Sequence, residues 1–285
     1  MSRVLYHLLL KPLSHLPLPI LYVLSDMMFL LLYYLAGFRK KVVLTNLRNA
    51  FPDRSPVEIS TITRQFYRHL CDLIVESIRM FSMPAEEAIR RCRCRNPEIL
   101  EPFYRQGRSV IIPSGHYNNW EMAAYIIGRQ ISHQTVALYS PLRNRFFNDV
   151  ILKSRSRFGL QMIPIERARS AFAERRSRPT AVLMASDQSP TARNVHWTRF
   201  LNQDTAVLLG TEKYAAAYDQ PVVFGYIYKM KRGYYEIEFA VVEDHPIAAE
   251  PGSITEKHTR MLEAEILENP AYWLWSHKRW KRKKL

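Results

Sequence analysis

The first apolar stretch of the chain is long and nearly unbroken. Residues 16–37, LPLPILYVLSDMMFLLLYYLAG, are interrupted only by a serine, Asp26 and two early prolines. About twenty such residues can cross the hydrocarbon core of a bilayer as a helix, although a carboxyl at mid-membrane is costly. We predict an anchor over residues 1–40 and one further domain over residues 41–285.

The flanks of this segment indicate how the anchor is used. The cationic run FRKK follows it at once, without the small-residue site that ends a cleaved signal peptide. These cations outnumber Arg3 and Lys11 on the other side, which favours a cytoplasmic position for the main body. A helix lying in the membrane interface is an alternative to a spanning one.

The next section has a helical pattern. Apolar residues recur at helical spacing in VVLTNLRNAF, and Ser55 and Glu58 form a Ser-x-x-Glu capping box at the start of SPVEISTITRQFYRHLCDLIVESIRMF. EEAIRRCRC continues the helical character weakly. The front of the chain is therefore predicted to be helical.

From about Arg108 the pattern changes to short apolar, β-branched runs: SVIIP, TVALYS, QMIPI, TAVLMAS and QPVVFGYIY. Longer amphipathic stretches separate them, which is typical of parallel strands joined by crossover helices. GYYEIEFAVVE alternates like a half-exposed strand paired with its predecessor. The predicted fold class is α/β, a mostly parallel central sheet flanked by helices, with an N-terminal membrane-anchor helix.

Charge narrows the choice of partners. The 41 Lys and Arg residues against 26 Asp and Glu give a formal net charge of +15 and a pI of about 9.8. An anionic partner is expected: nucleic acid, anionic lipid or an acidic carrier. No helix-turn-helix, zinc-finger or RNP pattern is present, so we expect no nucleic-acid partner. Cys71, Cys92 and Cys94 suit neither a disulfide framework nor a zinc site, and we expect no bound metal.

The stretch SGHYNNWE carries the candidate chemistry. On one helix, His116 and Glu121 would be about 140° apart. SVIIP instead predicts a strand, SGH a turn, and Asn118 or Asn119 the cap of a helix. His116 would then lie at a strand end with Glu121 close by, suiting general base catalysis with a carboxylate that orients the imidazole. The alternative is structural, because Asn118 and Glu121 also have capping-box spacing.

Four blocks occurring in order extend this hypothesis. FRKKVVLTNLRNAFPDRSPVEI, SGHYNNWE, SRSRFG with ASDQSP, and NPAYWLWSHKRWK span almost the whole chain. The sequence resembles the lipid A biosynthesis (Kdo2-lipid A lauroyl/myristoyl) acyltransferase family, within the His-x4-Asp/Glu glycerolipid acyltransferase superfamily. The resemblance implies that residues 41–285 are an acyltransferase catalytic domain.

The resemblance also assigns catalytic residues. It implies that His116 is the general base and Glu121 its partner, and that Asp187 with Arg155 or Arg157 completes the active site.

Three further residues are expected to bind substrate. The resemblance and the affinity of guanidinium groups for phosphate place Arg143 among them, together with Asn119 and Gln188.

The implied reaction moves a fatty acyl chain from a thioester, on acyl carrier protein or coenzyme A, to a hydroxyl of a lipid A precursor. No cofactor and no covalent enzyme intermediate are needed, consistent with the lack of a Gly-x-Ser-x-Gly motif. The implied location is the cytoplasmic face of the bacterial inner membrane. A lysophospholipid or aminolipid acceptor is the alternative. A membrane metal-dependent hydrolase using His116, Glu121 and Asp187 as ligands belongs to a different class.

Two features of the last third of the chain complete these expectations. TRFLNQDTAVLLG has Asn202 where the family usually has a glycine, and asparagine tolerates left-handed backbone better than most residues. Trp273, Trp275 and Trp280 lie among cations, so we expect this segment to rest on an anionic membrane surface.

Overall fold

The computed structural model describes residues 2–173, 177–191 and 194–284. Its N-terminal segment is helical and bends once, at Leu16 and Pro17, where the backbone is extended. The helices before and after the bend are α1 (Ser2–Leu5), a π-helical turn (Tyr6–Leu10), α2 (Lys11–His15), α3 (Leu18–Leu30) and a second π-helical turn (Leu31–Leu35).

Residues 18–35 are long and apolar enough to cross a membrane. Leu18, Leu21, Ser25 and Phe29 nevertheless form a buried stripe against the rest of the molecule, while the opposite face of α3 is exposed. Asp26 is accommodated by an ion pair, with 2.7 Å between its Oδ1 and Nη2 of Arg232. The boundary between anchor and catalytic domain at residue 40 stays a prediction.

Helices follow as the sequence pattern indicates. They are α4 (Lys40–Ala50), α5 (Pro56–Arg79), α6 (Ala85–Arg91), a 3₁₀ turn (Pro97–Leu100) and α7 (Glu101–Arg105). The capping box that opens α5 is confirmed, because Ser55 Oγ accepts from the Glu58 backbone N–H and the Glu58 carboxylate accepts from the Ser55 N–H.

The centre of the fold is a seven-stranded sheet in the order β1-β9-β8-β2-β5-β3-β4. All neighbours are parallel except β8 and β9, so the α/β prediction is confirmed. The strands are β1 (Cys92–Cys94), β2 (Val110–Ser114), β3 (Gln134–Tyr139), β4 (Gln161–Pro164), β5 (Thr180–Ala185), β8 (Val222–Lys231) and β9 (Tyr234–Glu243).

Helices cover both faces of this sheet. In β2, Val110 and Ile112 pack into one apolar cluster with α3 and α6, whereas Ile111 packs into another with α4 and α5. Burial on both faces explains the continuous apolar runs of the central strands. The later helices are α8 (Trp120–Ile126), α9 (Arg145–Ser156), α10 (Ala168–Ala173), α11 (Gly210–Tyr218) and α12 (Ser253–Glu268), with 3₁₀ turns at Ile127–Arg129, Ile165–Arg167 and Pro270–Tyr272.

One local prediction was wrong, and one element was missed. The residues Cys92–Cys94 do not continue a helix, because they pair with Tyr235–Ile237 of β9. A hairpin that the sequence did not predict, β6 (Val195–Phe200) and β7 (Gln203–Leu208), stands apart from the main sheet. Its turn residues Leu201 and Asn202 both have positive φ, 48° and 61°, so asparagine does adopt the left-handed backbone expected of it.

The membrane-surface prediction for the C-terminal tryptophans was also wrong for two of the three. Trp273 and Trp275 are buried, at 2% and 0% exposure. The indole N–H of Trp275 donates to the Pro270 carbonyl, and half-buried Trp280 donates to Thr205. Internal acceptors and aromatic packing thus hold this segment in the core.

Candidate active site

His116 lies just beyond the carboxyl end of β2. The preceding Gly115 allows the backbone to approach Leu262 of α12 closely, because a Cβ at that position would lie 2.6 Å from Leu262 Cδ1. The side chain of His116 is 19% exposed. Strand ends of this kind are where open α/β sheets bind ligands.

Asp187 reaches His116 from the neighbouring strand. Ser114 of β2 is paired with Ala185 of β5, so both residues follow the same edge of the sheet by two positions. The Asp187 carboxylate is buried and accepts three hydrogen bonds, from the His116 ring Nδ1 (2.6 Å), the His116 backbone N–H (2.8 Å) and Trp273 Nε1 (2.8 Å). Together these three donors hold the Asp187 carboxylate in one position.

The charges of the pair are coupled. Burial alone raises the pKa of Asp187, but the charge and hydrogen bonds of His116 outweigh it and leave that pKa below its usual value. Burial lowers the pKa of His116, and the charge and hydrogen bond of Asp187 reverse the effect, so the net pKa is raised. The pair therefore stabilises an imidazolium next to a carboxylate.

The other ring nitrogen, Nε2, is not bound to Asp187. Because Nδ1–H donates to the Asp187 carboxylate, the hydrogen-bond network gives the neutral ring a lone pair on Nε2. The Gln188 amide Nε2 lies 3.1 Å away and can donate to that lone pair. The edge of the Trp120 ring packs on the imidazole, with ring centroids 5.2 Å apart. The geometry suits a general base whose proton-accepting atom is Nε2.

Glu121 occupies a different position from the one expected. Its Oε1 lies 2.5 Å from Nη2 of Arg155, which comes from α9, so the carboxylate that orients the His116 ring is Asp187. Glu121 still raises the pKa of His116 by its charge, and Arg155 lowers it, so the ion pair acts on the imidazole through its charges. Sequence spacing suggested the wrong carboxylate for the direct contact, because Asp187 is 71 residues away from His116.

A family model described as bacterial lipid A biosynthesis acyltransferase matches residues 2–282. The chain belongs to this family. A comparison with curated proteins finds no match. Membership in the bacterial lipid A biosynthesis acyltransferase family, which is membrane-associated, implies an acyltransferase with a lipid acceptor and an acyl donor.

The remaining residues expected in this acyltransferase site lie elsewhere. Arg157 donates to the carbonyls of Met80, Phe81 and Met83 at the end of α5, so its guanidinium is engaged away from His116. Arg143 is exposed in the loop before α9. Neither residue is brought to the imidazole.

Asn119 has a structural position. Its Oδ1 accepts from the Met122 N–H as the cap of α8, and its Nδ2 donates to the buried carboxylate of Glu76. Asn118 has a positive φ of 49° and is not the cap, so the proposed Asn118–Glu121 capping box is wrong. Asn119 is 2% exposed and presents no free polar group to a substrate.

An apolar groove begins at the Glu121–Arg155 pair. Its volume is about 490 Å³, within the range of ligand sites. Most of its wall is aliphatic or aromatic and comes from α5, α8, α9 and the N-terminal segment. The lining residues are Leu10, Leu70, Leu73, Ile74, Ser77, Ile78, Phe81, Trp120, Glu121, Tyr125, Ile151, Arg155 and Leu274.

Proposed function

We propose that this acyltransferase moves a fatty acyl chain from a thioester donor to a hydroxyl of a lipid A precursor, with His116 as general base. The observation that carries the proposal is the buried His116–Asp187 pair at the carboxyl end of β2, which leaves Nε2 hydrogen-bonded, among the described residues, to the exposed Gln188 side chain alone. Family membership supports the substrate class.

The reaction balances without a covalent enzyme intermediate. The acceptor hydroxyl gives its proton to His116 Nε2 while its oxygen attacks the thioester carbonyl. The resulting tetrahedral oxyanion collapses, the carbon–sulfur bond breaks, and the departing thiolate takes the proton from the imidazolium. Asp187 stabilises that imidazolium, as the raised pKa of His116 indicates.

The groove and the ion pair have complementary roles in this proposal. The apolar groove receives the acyl chain, which places the thioester carbonyl near Arg155 and Gln188. Either side chain supplies an N–H donor to the developing oxyanion. The Gln188 side chain is exposed. In this proposal it moves away from His116 Nε2 when the acceptor hydroxyl binds there.

The surroundings suit a membrane enzyme with an acidic donor. The exposed apolar face of α3, including Val23, Met27 and Leu30, contacts lipid. The net charge of +15 suits acyl carrier protein as the donor. We place the enzyme on the cytoplasmic face of the bacterial inner membrane, because cations follow the apolar segment.

The test uses detergent-solubilised protein, acyl carrier thioesters and purified lipid A precursor, with products weighed by mass spectrometry. We expect the acceptor to gain one acyl chain with wild type, and no product with His116→Ala. His245→Ala, which alters an exposed histidine, is the matched control and retains full activity. Equal products from wild type and His116→Ala would refute the role of the base.

Two arms of the same assay separate the alternatives. Acylation of lysophospholipids but not of the disaccharide would replace the proposed acceptor. Loss of activity on chelation, restored by one added metal, would favour the metal-dependent class. The structure gives less support to that class, because Asp187 already accepts three N–H donors and Glu121 is paired with Arg155.

A further inference from the structure

A second cavity, which several charged side chains line, lies between α3 and the sheet. We call it the basic pocket. It is bounded by α3, α5 and the tip of the β8–β9 hairpin, and its volume is about 660 Å³. Four cations line it, Arg68, Lys229, Lys231 and Arg232. A smaller cavity of about 280 Å³ shares Arg68 and Lys229 with it, so the two spaces adjoin.

The carboxylates of the basic pocket are already occupied. Arg232 binds both of them, with Nη2 2.7 Å from Asp26 Oδ1 and 2.6 Å from Asp72 Oδ1. Four cations against two carboxylates leave a net charge of +2 in one concave space. The excess lies with the other three cations.

None of those three cations has a carboxylate to itself, since Lys229 shares Asp72 with Arg232 and the other two form no ion pair in the described part of the chain. Arg68 is exposed, stacks over the Phe29 ring at 5.0 Å, and forms no ion pair within residues 2–173, 177–191 and 194–284. Lys231 similarly lies 4.5 Å from the centroid of Tyr234. Lys229 is half-buried, 3.9 Å from Asp72 Oδ2, and burial lowers the pKa of its ammonium group. An anion bound next to Lys229 would stabilise the charged ammonium group and raise its pKa again.

The rim of the basic pocket is apolar on one side. Phe29 and Leu30 of α3 line it, and Leu30 is 55% exposed on the same face as Val23 and Met27. A molecule held here would therefore meet cations at one end and an apolar helix face at the other. An amphiphile with an anionic head group satisfies both surfaces.

We propose that the basic pocket binds the phosphate group of an anionic lipid whose acyl chains lie along α3. Guanidinium and ammonium donors from α5 and β8 match the several acceptor oxygens of a phosphate. The lipid is either a bilayer phospholipid or the acceptor itself, and both present the same group. Binding to bilayer lipid does not depend on acyl transfer; the acceptor case rests on the proposed function.

The first experiment measures binding to phosphatidylcholine vesicles with and without phosphatidic acid. The pocket variant is Arg68→Gln with Lys231→Gln, which leaves the Arg232 ion pairs intact. The control is Lys11→Gln with Lys41→Gln, which removes two exposed cations beside the anchor but outside the basic pocket. Thermal melting confirms that both proteins are folded, and the charge-preserving Arg68→Lys retains binding.

The second experiment measures the acceptor KM in detergent micelles, using phosphorylated and enzymatically dephosphorylated acceptor. If a bilayer lipid occupies the basic pocket, the pocket variant binds phosphatidic acid vesicles about thirtyfold more weakly than wild type, at about 1 kcal/mol for each of two cations. The control variant loses less, because its two cations do not hold the phosphate group. If the acceptor phosphate occupies it, KM rises with phosphorylated acceptor alone. Equal behaviour of the pocket and control variants in both experiments would overturn the proposal. Loss of activity in every protein, with vesicle binding still selective, would reject only the proposed function.

Discussion

Replacing Asp187 with asparagine tests the central argument about the site. The carboxylate accepts N–H groups from His116 Nδ1, the His116 backbone and Trp273. An amide has one oxygen, so its NH₂ group must face at least one of these donors. A buried donor without an acceptor costs about 1–3 kcal/mol. We expect Asp187→Asn to fold with its free energy of unfolding lowered by about that amount.

The effect on turnover is larger. Without the carboxylate, the His116 ring loses its orientation and the charge that stabilises the imidazolium. General base catalysis contributes about 10²–10⁴ in rate, and each tenfold step corresponds to about 1.4 kcal/mol. We therefore expect kcat to fall by about 10²–10⁴, or about 3–5 kcal/mol in barrier height.

The assay is the pH dependence of kcat/KM, which reports on the free enzyme. His116 must be neutral to accept a proton, so activity is lost as pH falls through its pKa. The wild-type profile should decline at a pH above the ordinary histidine pKa of 6.5, because Asp187 raises the value. In Asp187→Asn that charge is absent and burial lowers the pKa, so the residual activity should decline at a lower pH.

Asp149→Asn is the matched control, since Asp149 is exposed on α9. It should leave both the rate and the pH profile unchanged. The reasoning is refuted if Asp187→Asn keeps wild-type kcat, or if its acidic limb coincides with that of the wild type.

The other predictions concern separate contacts. Trp273→Phe removes one N–H donor from the Asp187 carboxylate, and urea unfolding should show a loss of about 1.5–3 kcal/mol, because the bond is to a charged group; an unchanged midpoint would contradict that. Arg155→Ala should lower kcat/KM, whereas Arg157→Ala should lower only the melting temperature, since Arg157 binds backbone carbonyls at the end of α5; the opposite result would exchange their roles. Asn202→Val should lower the unfolding free energy by about 1–3 kcal/mol more than Asn202→Gly, because φ is 61° there and a β-branched residue is strained in that conformation. Equal losses in denaturant melts would show that the turn does not strain valine.

The residue pattern was sufficient wherever an element is defined by its neighbours in the chain. The capping box of α5 joins residues three positions apart, and the apolar run of β2 reflects burial on both faces of one strand. The placement of His116 at a strand end followed from the same local information. β1 could not be found this way, because three residues become a strand only through pairing with β9.

The amino-acid sequence by itself determined the fold class, the general position of the imidazole and, by resemblance, the family. Only the tertiary structure decided which carboxylate binds that imidazole. Asp187 is far from His116 in the sequence and comes close to it only because β2 and β5 pair in the sheet. It also decided that Trp273 belongs to the core and donates to Asp187, and that Arg155 and Arg157, two positions apart, face different partners. Composition and spacing describe what a residue can do, whereas its neighbours across the fold select which of those interactions is made.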